Sequence, residues 1–404
     1  MANGLMICFL VLAFLSLPLS AADWPQFRGT NGDGTSPETG LNKEWYKKPP
    51  NQLWHTPVTD KGFGGLSAAA GKLFYVDHQL DQDIVHAVDF NTGKDKWTSK
   101  YANMGTPNYG FTRATPAFAN GKLYTLSRHG VVVCYDAESG TLIWNHDLLN
   151  DYHGKEPFYG FAHSPVVDGD RVVVCPGGAD AAVVCFDAAT GKEIWKGGGG
   201  DAGGYSTPAV ATIANKKQYV VFSALNIMGI DAETGKQLWS YAWRTQFDEN
   251  IASPVVQGDT VFISSAYNKG CLQLEISGEK ADVNWQNKMM QCHFNTPLYL
   301  DGCYYGSSGR AERSGELVCL DAKSGTPLWK ESGFDTGGVI TADGVNFTVI
   351  ASTGEVVMFK PDPRSFHELG RMKLLNGPCW GTPIISDGKL FIRNVDTIVC
   401  LNLK

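Results

Sequence analysis

Residues 184–195 read VCFDAATGKEIW, and near-copies of this stretch recur along the 404-residue chain. The spacing between Asp and Trp is eight residues in each of five copies, DFNTGKDKW (89–97), DAESGTLIW (136–144), DAATGKEIW (187–195), DAETGKQLW (231–239) and DAKSGTPLW (321–329). A stretched copy, EISGEKADVNW, occupies 275–285. The motif Trp therefore recurs every 44 to 51 residues, which is the spacing of β-propeller blades and not of a leucine-rich or helical array.

The chemistry of the motif is that of a β-hairpin corner. The Asp carboxylate can accept backbone N–H bonds from the turn, and Gly takes the left-handed conformation that closes it. The next strand alternates its side chains, so Ile194 and Trp195 face opposite ways and the Trp is expected to pack against a neighbouring blade. An enzyme needs a catalytic group once, whereas this motif occurs six times along the chain. We therefore assign a structural role to its Asp and Trp residues and to the related Trp54. These are Asp89, Trp97, Asp136, Trp144, Asp187, Trp195, Asp231, Trp239, Trp285, Asp321, Trp329 and Trp54.

A second shared phrase precedes each corner, as in ATPAFANGKLYTL (114–126) and GTPIISDGKLFI (381–392). Ser or Thr followed by Pro begins a short strand, where Pro costs no ladder hydrogen bond, and a polar turn leads to a second strand. Each unit thus has four strands, A to D, with Asp ending C and Trp in D. The predicted blades cover 66–102, 113–148, 162–198, 205–243, 251–289, 295–332, 336–374 and 379–404.

The last two units are irregular. The seventh keeps the pattern of three strands but lacks the corner motif and its Trp, and the eighth ends with strand C. The segment NQLWHTPV (51–58) has the strand D pattern, and Trp54 lies 43 residues before Trp97. We therefore predict an all-β, eight-bladed propeller of four-stranded antiparallel blades, closed by the N-terminal strand near Trp54, which removes open sheet edges. A seven-bladed ring is the structural alternative.

Residues 1–22 carry no charged side chain and include the apolar run Leu5–Leu17 followed by small residues. This pattern indicates a signal peptide, with a single N-terminal anchor as the alternative. We divide the chain into this segment, a lead-in at 23–50 and the propeller at 51–404. Beyond the signal, nine cysteines without a Cys-Cys or Cys-x-x-Cys pair are expected to be mostly small buried side chains. The net charge of −7, without a basic run, argues against nucleic acid as a partner.

The repeated Asp-Ala-x-Thr/Ser-Gly-x-x-x-Trp resembles the repeat of PQQ-like propellers, and the resemblance covers 51–404. The opening WPQFRGTNGDG (24–34) also resembles the start of many secreted bacterial members. The resemblance implies one of two activities. One branch consists of quinoprotein dehydrogenases, which hold pyrroloquinoline quinone (PQQ) and calcium; the other is the non-catalytic, BamB-like branch of outer-membrane assembly. The dehydrogenases typically have a disulfide between adjacent cysteines and longer insertions, and this sequence has neither, so the BamB-like branch is favoured.

The connections from strand D to the next strand A are where the repeat breaks down. They include NYGFTRATP (108–116), FYGFAHSP (158–165), GGGGDAGGYSTP (197–208), QCHFNTP (291–297) and PCWGTP (378–383). Aromatic and polar side chains at a channel mouth suit a small ligand, a sugar or a peptide, whereas the alternative is that the rings only pack the blades. The candidate binding residues are Tyr109, Phe111, Arg113, Tyr159, Phe161, His163, Tyr205, His293, Asn295 and Trp380.

No catalytic motif stands out. The sequence has no Gly-x-Ser-x-Gly elbow and no paired zinc motif, and His163 with His293 lacks a third ligand at a fixed spacing. We therefore predict no catalytic residue, no metal site and no cofactor. The predicted function is a monomeric, periplasmic or secreted binding or scaffolding propeller for a protein partner or small ligand, without a transmembrane span in the mature chain. The alternative is a quinoprotein alcohol or sugar dehydrogenase that uses PQQ with calcium.

Overall fold

The computed structural model describes residues 23–311 and 313–404, so the predicted signal peptide lies outside the described residues. Two strands precede the first complete blade, β1 (Thr35–Ser36) and β2 (Asn51–Pro57). Blades 1 to 4 then follow in chain order. Their strands are β3 (Ser67–Ala69), β4 (Lys72–Gln79), β5 (Gln82–Asp89), β6 (Asp95–Ala102), β7 (Ala117–Ala119), β8 (Lys122–Leu126), β9 (Val131–Asp136), β10 (Leu142–Asp147), β11 (Val166–Asp168), β12 (Arg171–Val174), β13 (Val183–Asp187), β14 (Glu193–Gly197), β15 (Ala209–Ile213), β16 (Lys216–Phe222), β17 (Asn226–Asp231) and β18 (Gln237–Ala242).

Blades 5 to 8 complete the ring. Their strands are β19 (Val255–Gln257), β20 (Thr260–Ser265), β21 (Gly270–Ser277), β22 (Lys280–Asn287), β23 (Leu298–Leu300), β24 (Cys303–Ser308), β25 (Gly315–Asp321), β26 (Pro327–Phe334), β27 (Val339–Ala342), β28 (Val345–Ile350), β29 (Glu355–Lys360), β30 (His367–Lys373), β31 (Ile384–Ser386), β32 (Lys389–Arg393) and β33 (Thr397–Asn402). The helices described are a single turn, α1 (Leu148–Asp151), and a 3₁₀ turn at Gln246–Asp248. The protein is therefore an all-β, eight-bladed propeller, as predicted.

Blade 8 combines the two ends of the described chain. Strand β2 pairs antiparallel with β33, and Trp54 lies opposite Cys400 just after a register shift, as Trp195 lies opposite Cys185 in blade 3. The sheet order β2-β33-β32-β31 places β2 in the outermost position. The N-terminal strand thus supplies strand D of the last blade and closes the ring.

Six of the seven Trp residues at this strand D position join neighbouring blades, each by a hydrogen bond from the indole. The Trp195 Nε1–H donates to the carbonyl of Ala232 in blade 4 at 3.0 Å, and its ring covers Gly235 of the same corner. Equivalent bonds of 2.8–3.2 Å link neighbouring blades from Trp54, Trp97, Trp144, Trp285 and Trp329. The C–D turn of each of these blades therefore accepts a hydrogen bond from the Trp of the preceding blade.

Trp239 departs from the expected packing on a neighbour. Its Nε1–H donates to Gln218 Oε1 in its own blade at 2.8 Å. Gly229 lies opposite Trp239, and a Cβ on Gly229 would lie 2.2 Å from that indole nitrogen. The next blade carries the stretched copy of the corner, which has Ile276 and Glu279 where the regular corner of blade 4 has Ala232 and Gly235.

Blade 7 has more strands than its sequence pattern indicates. Besides the three recognisable strands it contains β30, and β1 pairs parallel with β27 as a fifth strand. The position of the missing Trp is taken by Gly370, which lies opposite Met358. Trp45 of the lead-in fills this space, because a Cβ on Gly370 would lie 2.3 Å from the Trp45 Cβ.

The A strands line the centre of the ring, where they contact the A strands of adjacent blades. The A–B and C–D turns share one face, which we call the corner face. The D–A connections and B–C turns share the other, which we call the loop face. No helix in the described part of the chain is both long and apolar enough to cross a bilayer.

Candidate functional site

Residues 24–36, here called the plug segment, cross the central channel. Trp24 and Ala68 of blade 1 exchange two backbone hydrogen bonds of 2.8 Å, and the Phe118 N–H of blade 2 donates to the Pro25 carbonyl at 2.7 Å. On the far side, Arg28 Nη1 and Nη2 donate to the carbonyls of Thr296 and Pro297 in blade 6, at 2.9 and 3.0 Å. The sequence predicts only a lead-in at 23–50, but the contacts of residues 24–36 make them part of the channel.

A cavity of about 230 Å³ opens above the plug on the loop face, and we call it the mouth cavity. Its floor includes Trp24, Phe27 and Arg28 of the plug segment. Six of the predicted residues line it, contributed by five different connections between blades. These are Tyr109, Arg113, Tyr159, Tyr205, His293 and Trp380.

The other four predicted residues do not line this cavity. The Phe111 ring stacks on His78 with centroids 3.3 Å apart, and Phe161 is fully buried. His163 is buried as well, and its Nε2 accepts the Cys175 N–H at 3.0 Å. Burial lowers the pKa of His163 to about 4, so this imidazole is neutral near pH 7. Asn295 is buried, and neither polar atom of its amide has a hydrogen-bond partner among the described residues.

Aromatic rings run around the cavity in contact with one another. Trp380 lies between Phe63, at 3.8 Å between centroids, and Phe294, at 4.2 Å. Tyr109 is 5.9 Å from Trp380 and 6.1 Å from Tyr159. Because both faces of the Trp380 ring are covered, its main role is packing, whereas the tyrosines keep accessible surface.

Tyr109 has an unusual backbone. Its φ is +62°, in the left-handed region that bulky side chains rarely adopt, and the residue is 52% exposed. Tyr267, which also lines the cavity, and its neighbour Phe247 have φ values of +54° and +65°. Such conformations occur at sites where the surrounding structure holds a side chain in place. The loop face therefore displays aromatic rings at some cost in backbone strain.

His293 and Glu249 form a buried pair in the cavity wall. The His293 Nε2 and the Glu249 Oε2 are 2.9 Å apart, and the His293 Nδ1 accepts the Ala311 N–H at 3.2 Å. Because Nδ1 is an acceptor, Nε2 carries the proton and donates it to the carboxylate. Burial, together with a hydrogen bond to Glu249, raises the pKa of Tyr267 to about 12. With both ring nitrogens engaged, His293 orients Glu249 and is not a free base.

Arginine dominates the charge of the cavity. Arg28, Arg113 and Arg310 line it, against the single described carboxylate of Glu249. Burial lowers the pKa of Arg28 and of Arg113 to about 10, so both remain cationic at neutral pH. The Arg310 guanidinium stacks 4.5 Å above the Tyr267 ring. The cavity thus combines aromatic walls with an excess of positive charge.

The described side chains do not match the calcium site that accompanies PQQ in the dehydrogenases. A calcium ion prefers several oxygen ligands, but Glu249 is the only carboxylate among the described lining residues and it is engaged by His293. Residues 23–311 and 313–404 contain no group of three or more His, Cys, Asp or Glu side chains placed to hold a metal ion. The nine cysteines described are buried and unbonded, so the described chain has no disulfide beneath the cavity.

Several lining residues were not among the predicted ones. Phe294 lies in the quoted stretch QCHFNTP and Arg28 in the quoted stretch WPQFRGTNGDG, so the sequence indicated their segments but not their positions. Arg310 lies in the turn between β24 and β25. Glu249 and Phe63 occur in connections without a repeated pattern, and no signal in the sequence distinguishes them.

Comparison with known proteins places this geometry in a family. A family model described as outer membrane protein assembly factor BamB matches residues 81–331, more than half of the chain. BamB from Aliivibrio fischeri is 43% identical over 56 residues, which is 14% of each chain. The dehydrogenase subunit of a quinone alcohol dehydrogenase from Komagataeibacter europaeus is 30% identical over 159 residues, 35% of this chain and 21% of that protein. These matches span about a fifth or less of the curated relatives.

Solved structures of both kinds share the fold. BamB from Moraxella catarrhalis superposes with a TM-score of 0.62 at 14% identity, over 87% of this chain and 99% of that one. The quinohemoprotein alcohol dehydrogenase from Comamonas testosteroni gives 0.67 at 15% identity, over 94% and 80%. At such identities the likeness concerns the fold alone. The repeat, the eight-bladed ring and the extent of the family match together show that the chain belongs to the outer membrane protein assembly factor BamB family of PQQ-like β-propeller repeat proteins.

Proposed function

We propose that this protein is a non-catalytic, extracytoplasmic propeller that binds a partner at the mouth cavity and serves in the assembly of envelope proteins. The observation that carries the proposal is Tyr109, whose exposed ring is held over the cavity by a left-handed backbone. Backbone strain of this kind is concentrated at binding and active sites. The family description, which names outer-membrane protein assembly, supports the cellular role and a periplasmic location.

The surroundings of the cavity also favour protein binding. Exposed apolar side chains surround it on the loop face, among them Met104, Phe158 and Phe247, in addition to Tyr109. Apolar groups grouped around a concave site are typical of interaction surfaces. We take the protein to be a monomer made of the propeller at 51–404, the lead-in at 23–50 and a cleaved signal at 1–22.

Site-specific photo-crosslinking tests the proposal. A benzophenone amino acid at Phe158, which is 76% exposed beside the cavity, is expected to capture an unfolded outer-membrane β-barrel protein. The same group at Asn91, exposed on the corner face, is the matched control. Capture from Phe158 alone supports the proposal. Equal capture from both positions, or none from either, contradicts it.

The quinoprotein dehydrogenase is a second candidate because the 30% identity to quinone alcohol dehydrogenase subunits favours it. The full chain is incubated with PQQ and calcium, and cofactor uptake and dye-linked oxidation of alcohols and sugars are measured. Stoichiometric uptake with oxidation overturns the binding proposal. Failure to take up the quinone overturns the dehydrogenase alternative, which the donor set of the mouth cavity does not favour.

A further inference from the structure

The guanidinium of Arg113, which lines the mouth cavity, lies beside that of Arg128, which does not line it. Arg113 belongs to the connection between β6 and β7, and Arg128 to the turn between β8 and β9. Both donate to the same two carbonyls: Arg113 Nη2 is 2.5 Å from Asn108 O and 3.2 Å from Gly110 O, and Arg128 Nη1 is 3.1 and 3.4 Å from them. The fold therefore brings two positive charges together on neutral acceptors.

Neither of these guanidiniums forms an ion pair with a described carboxylate. The arginine ion pairs of residues 23–311 and 313–404 involve only Arg171, Arg364 and Arg371. Arg128 is only 7% exposed, and the Nε atoms of Arg113 and Arg128 are both buried without a hydrogen-bond partner. Buried charges and buried donors are normally paired, so this arrangement leaves positive charge and hydrogen-bonding capacity uncompensated.

Two carboxylates, Asp60 and Glu156, act on the charge of this arginine pair, but both are engaged in other hydrogen bonds. Asp60 accepts the backbone N–H groups of Phe111 and Thr112 at 2.9 and 2.6 Å. Glu156 is paired with His129, with 2.8 Å between the Glu156 Oε1 and the His129 Nδ1. Both carboxylates moderate the positive charge from a distance, but neither contacts the guanidinium groups.

The rest of the cavity adds to the same charge. Arg28 on the floor donates only to backbone carbonyls, and Arg310 on the opposite wall contacts the Tyr267 ring. The chain as a whole has a net charge of −7, so the cavity is a local positive region on an acidic protein. A positive cleft with low-dielectric walls attracts anions, and the planar arginine fork matches carboxylate and phosphate oxygens.

Tyrosine rings lie next to Arg113. Tyr159 and Tyr205 line the cavity 6.1 Å apart, and the Tyr205 hydroxyl oxygen accepts the Tyr159 N–H at 3.3 Å. The hydrogen of that hydroxyl remains available to a ligand oxygen, and the two rings offer apolar surface to a flat group. We propose that Arg113, with Arg128 behind it, is an anion subsite of the mouth cavity, which selects small organic ligands that carry a carboxylate or a phosphate. This inference goes beyond the proposed function, because it gives the mouth cavity a small anionic ligand in addition to a protein partner.

Calorimetric titration of the full chain with three probes that share one ring tests the subsite. The probes are benzyl alcohol, benzoate and phenyl phosphate. Because hydrogen bonds to charged groups are strong, at least one anion is expected to bind about tenfold or more tightly than benzyl alcohol. The comparison between benzoate and phenyl phosphate shows which anionic group is preferred.

Variants identify the residue responsible. In Arg113→Gln the preference for the anion is expected to disappear, and in Arg113→Lys, which keeps the charge but loses the planar fork, it is expected to be reduced. Arg244→Gln is the matched control, because Arg244 is exposed on the loop face and does not line the cavity. Thermal unfolding of each variant shows whether it is folded, and Arg113→Lys retains the test if Arg113→Gln is not.

Three results would overturn the inference: equal binding of the neutral and anionic probes, an unchanged preference in the folded Arg113 variants, or no anion binding below about 10 mM, which is weaker than a specific site gives. Crosslinking from Phe158 separates the two proposals. If Phe158 still captures the unfolded β-barrel protein while the anion preference is absent, only the subsite is wrong.

Discussion

Tyr109 is the residue that best separates binding from packing at the mouth cavity. Its left-handed backbone carries a strain of about 1–2 kcal/mol for a non-glycine residue. Glycine would relieve this strain, but it would cost about 0.5–1 kcal/mol of chain entropy and about 0.5–1.5 kcal/mol of ring contacts. These contributions nearly cancel, so stability should not reveal the role of Tyr109, whereas binding should.

We expect Tyr109→Gly to change the free energy of unfolding in urea by no more than about 1 kcal/mol, for the reasons just given. We also expect it to abolish crosslinking from Phe158. Leu80→Gly is the control, since Leu80 has a φ of +58°, is 88% exposed and does not line the cavity. A destabilisation of more than about 2 kcal/mol with crosslinking intact would show that Tyr109 is a packing residue.

The sequence predicts the contacts of a residue when the repeat is intact. Asp187 and Trp195 follow the same pattern in blade after blade, so their turn and strand positions follow from spacing alone. Trp239 instead bonds within its own blade. This depends on Gly229 and Gln218 and on the irregular corner of the next blade, a combination that occurs once. Glu249 and His293 are 44 residues apart, and nothing in their local sequence indicates that they pair.

The lead-in is the element whose contacts could not be predicted from the sequence. It forms only the two-residue strand β1, yet it crosses the channel and then follows blade 7 to the last blade. The Leu41 N–H donates to Asp343 at 2.9 Å, and the Asn42 N–H donates to the Leu403 carbonyl at 2.6 Å. The absence of Trp from blade 7 was evident in the sequence, but its replacement by Trp45 was not, because Trp45 lies outside the repeat.

Replacing Trp45 tests whether the lead-in is part of the core. Trp45 is buried against blade 7, where its ring is 5.8 Å from Phe347. We expect Trp45→Ala to lower the free energy of unfolding by about 3–5 kcal/mol, the usual cost of removing a buried indole. Tyr46→Ala is the matched control, since its neighbour Tyr46 is 68% exposed. Similar, small effects of both substitutions in denaturant titrations would mean that the lead-in contributes little.

At the scale of the whole molecule, the closure of the ring can be predicted from the sequence. The crossing of the central channel by the plug segment cannot. The strand at 51–57 could be assigned to blade 8 because Trp54 lies about one period before Trp97 and because strand D of that blade was missing. The plug segment has no partner pattern of this kind. Its contacts with blades 1, 2, 6 and 7 depend on the diameter of the channel, which exists only once the ring has formed.

The repeated corners also give the whole molecule a common dependence on pH. In Asp187 the carboxylate accepts bonds from the Thr190 hydroxyl and from two turn N–H groups, which lowers its pKa below the ordinary value of 3.8. The pKa is also lowered at the equivalent residues of four other blades: at Asp136, Asp231 and Asp321 by corner hydrogen bonds, and at Asp89 by Lys96 first and by the corner second. Each carboxylate therefore stabilises the folded state while ionised. This contribution is complete above the unfolded pKa and is lost as the pH falls through the lower, folded pKa.

We expect the thermal unfolding midpoint to stay nearly constant from about pH 7 to 5 and to fall steeply below about pH 4, since several protons are taken up together on unfolding. Asp187→Asn should lower the midpoint at pH 7 and make the acid decline shallower, because one of these protons is removed. Asp170→Asn is the control, since its largely exposed carboxylate accepts none of the corner N–H bonds. Four further carboxylates, Asp180, Asp343, Asp362 and Glu368, also have a lowered pKa. One substitution among these nine groups is expected to reduce the slope by about a tenth; an unchanged slope in Asp187→Asn would show that acid unfolding begins elsewhere in the ring.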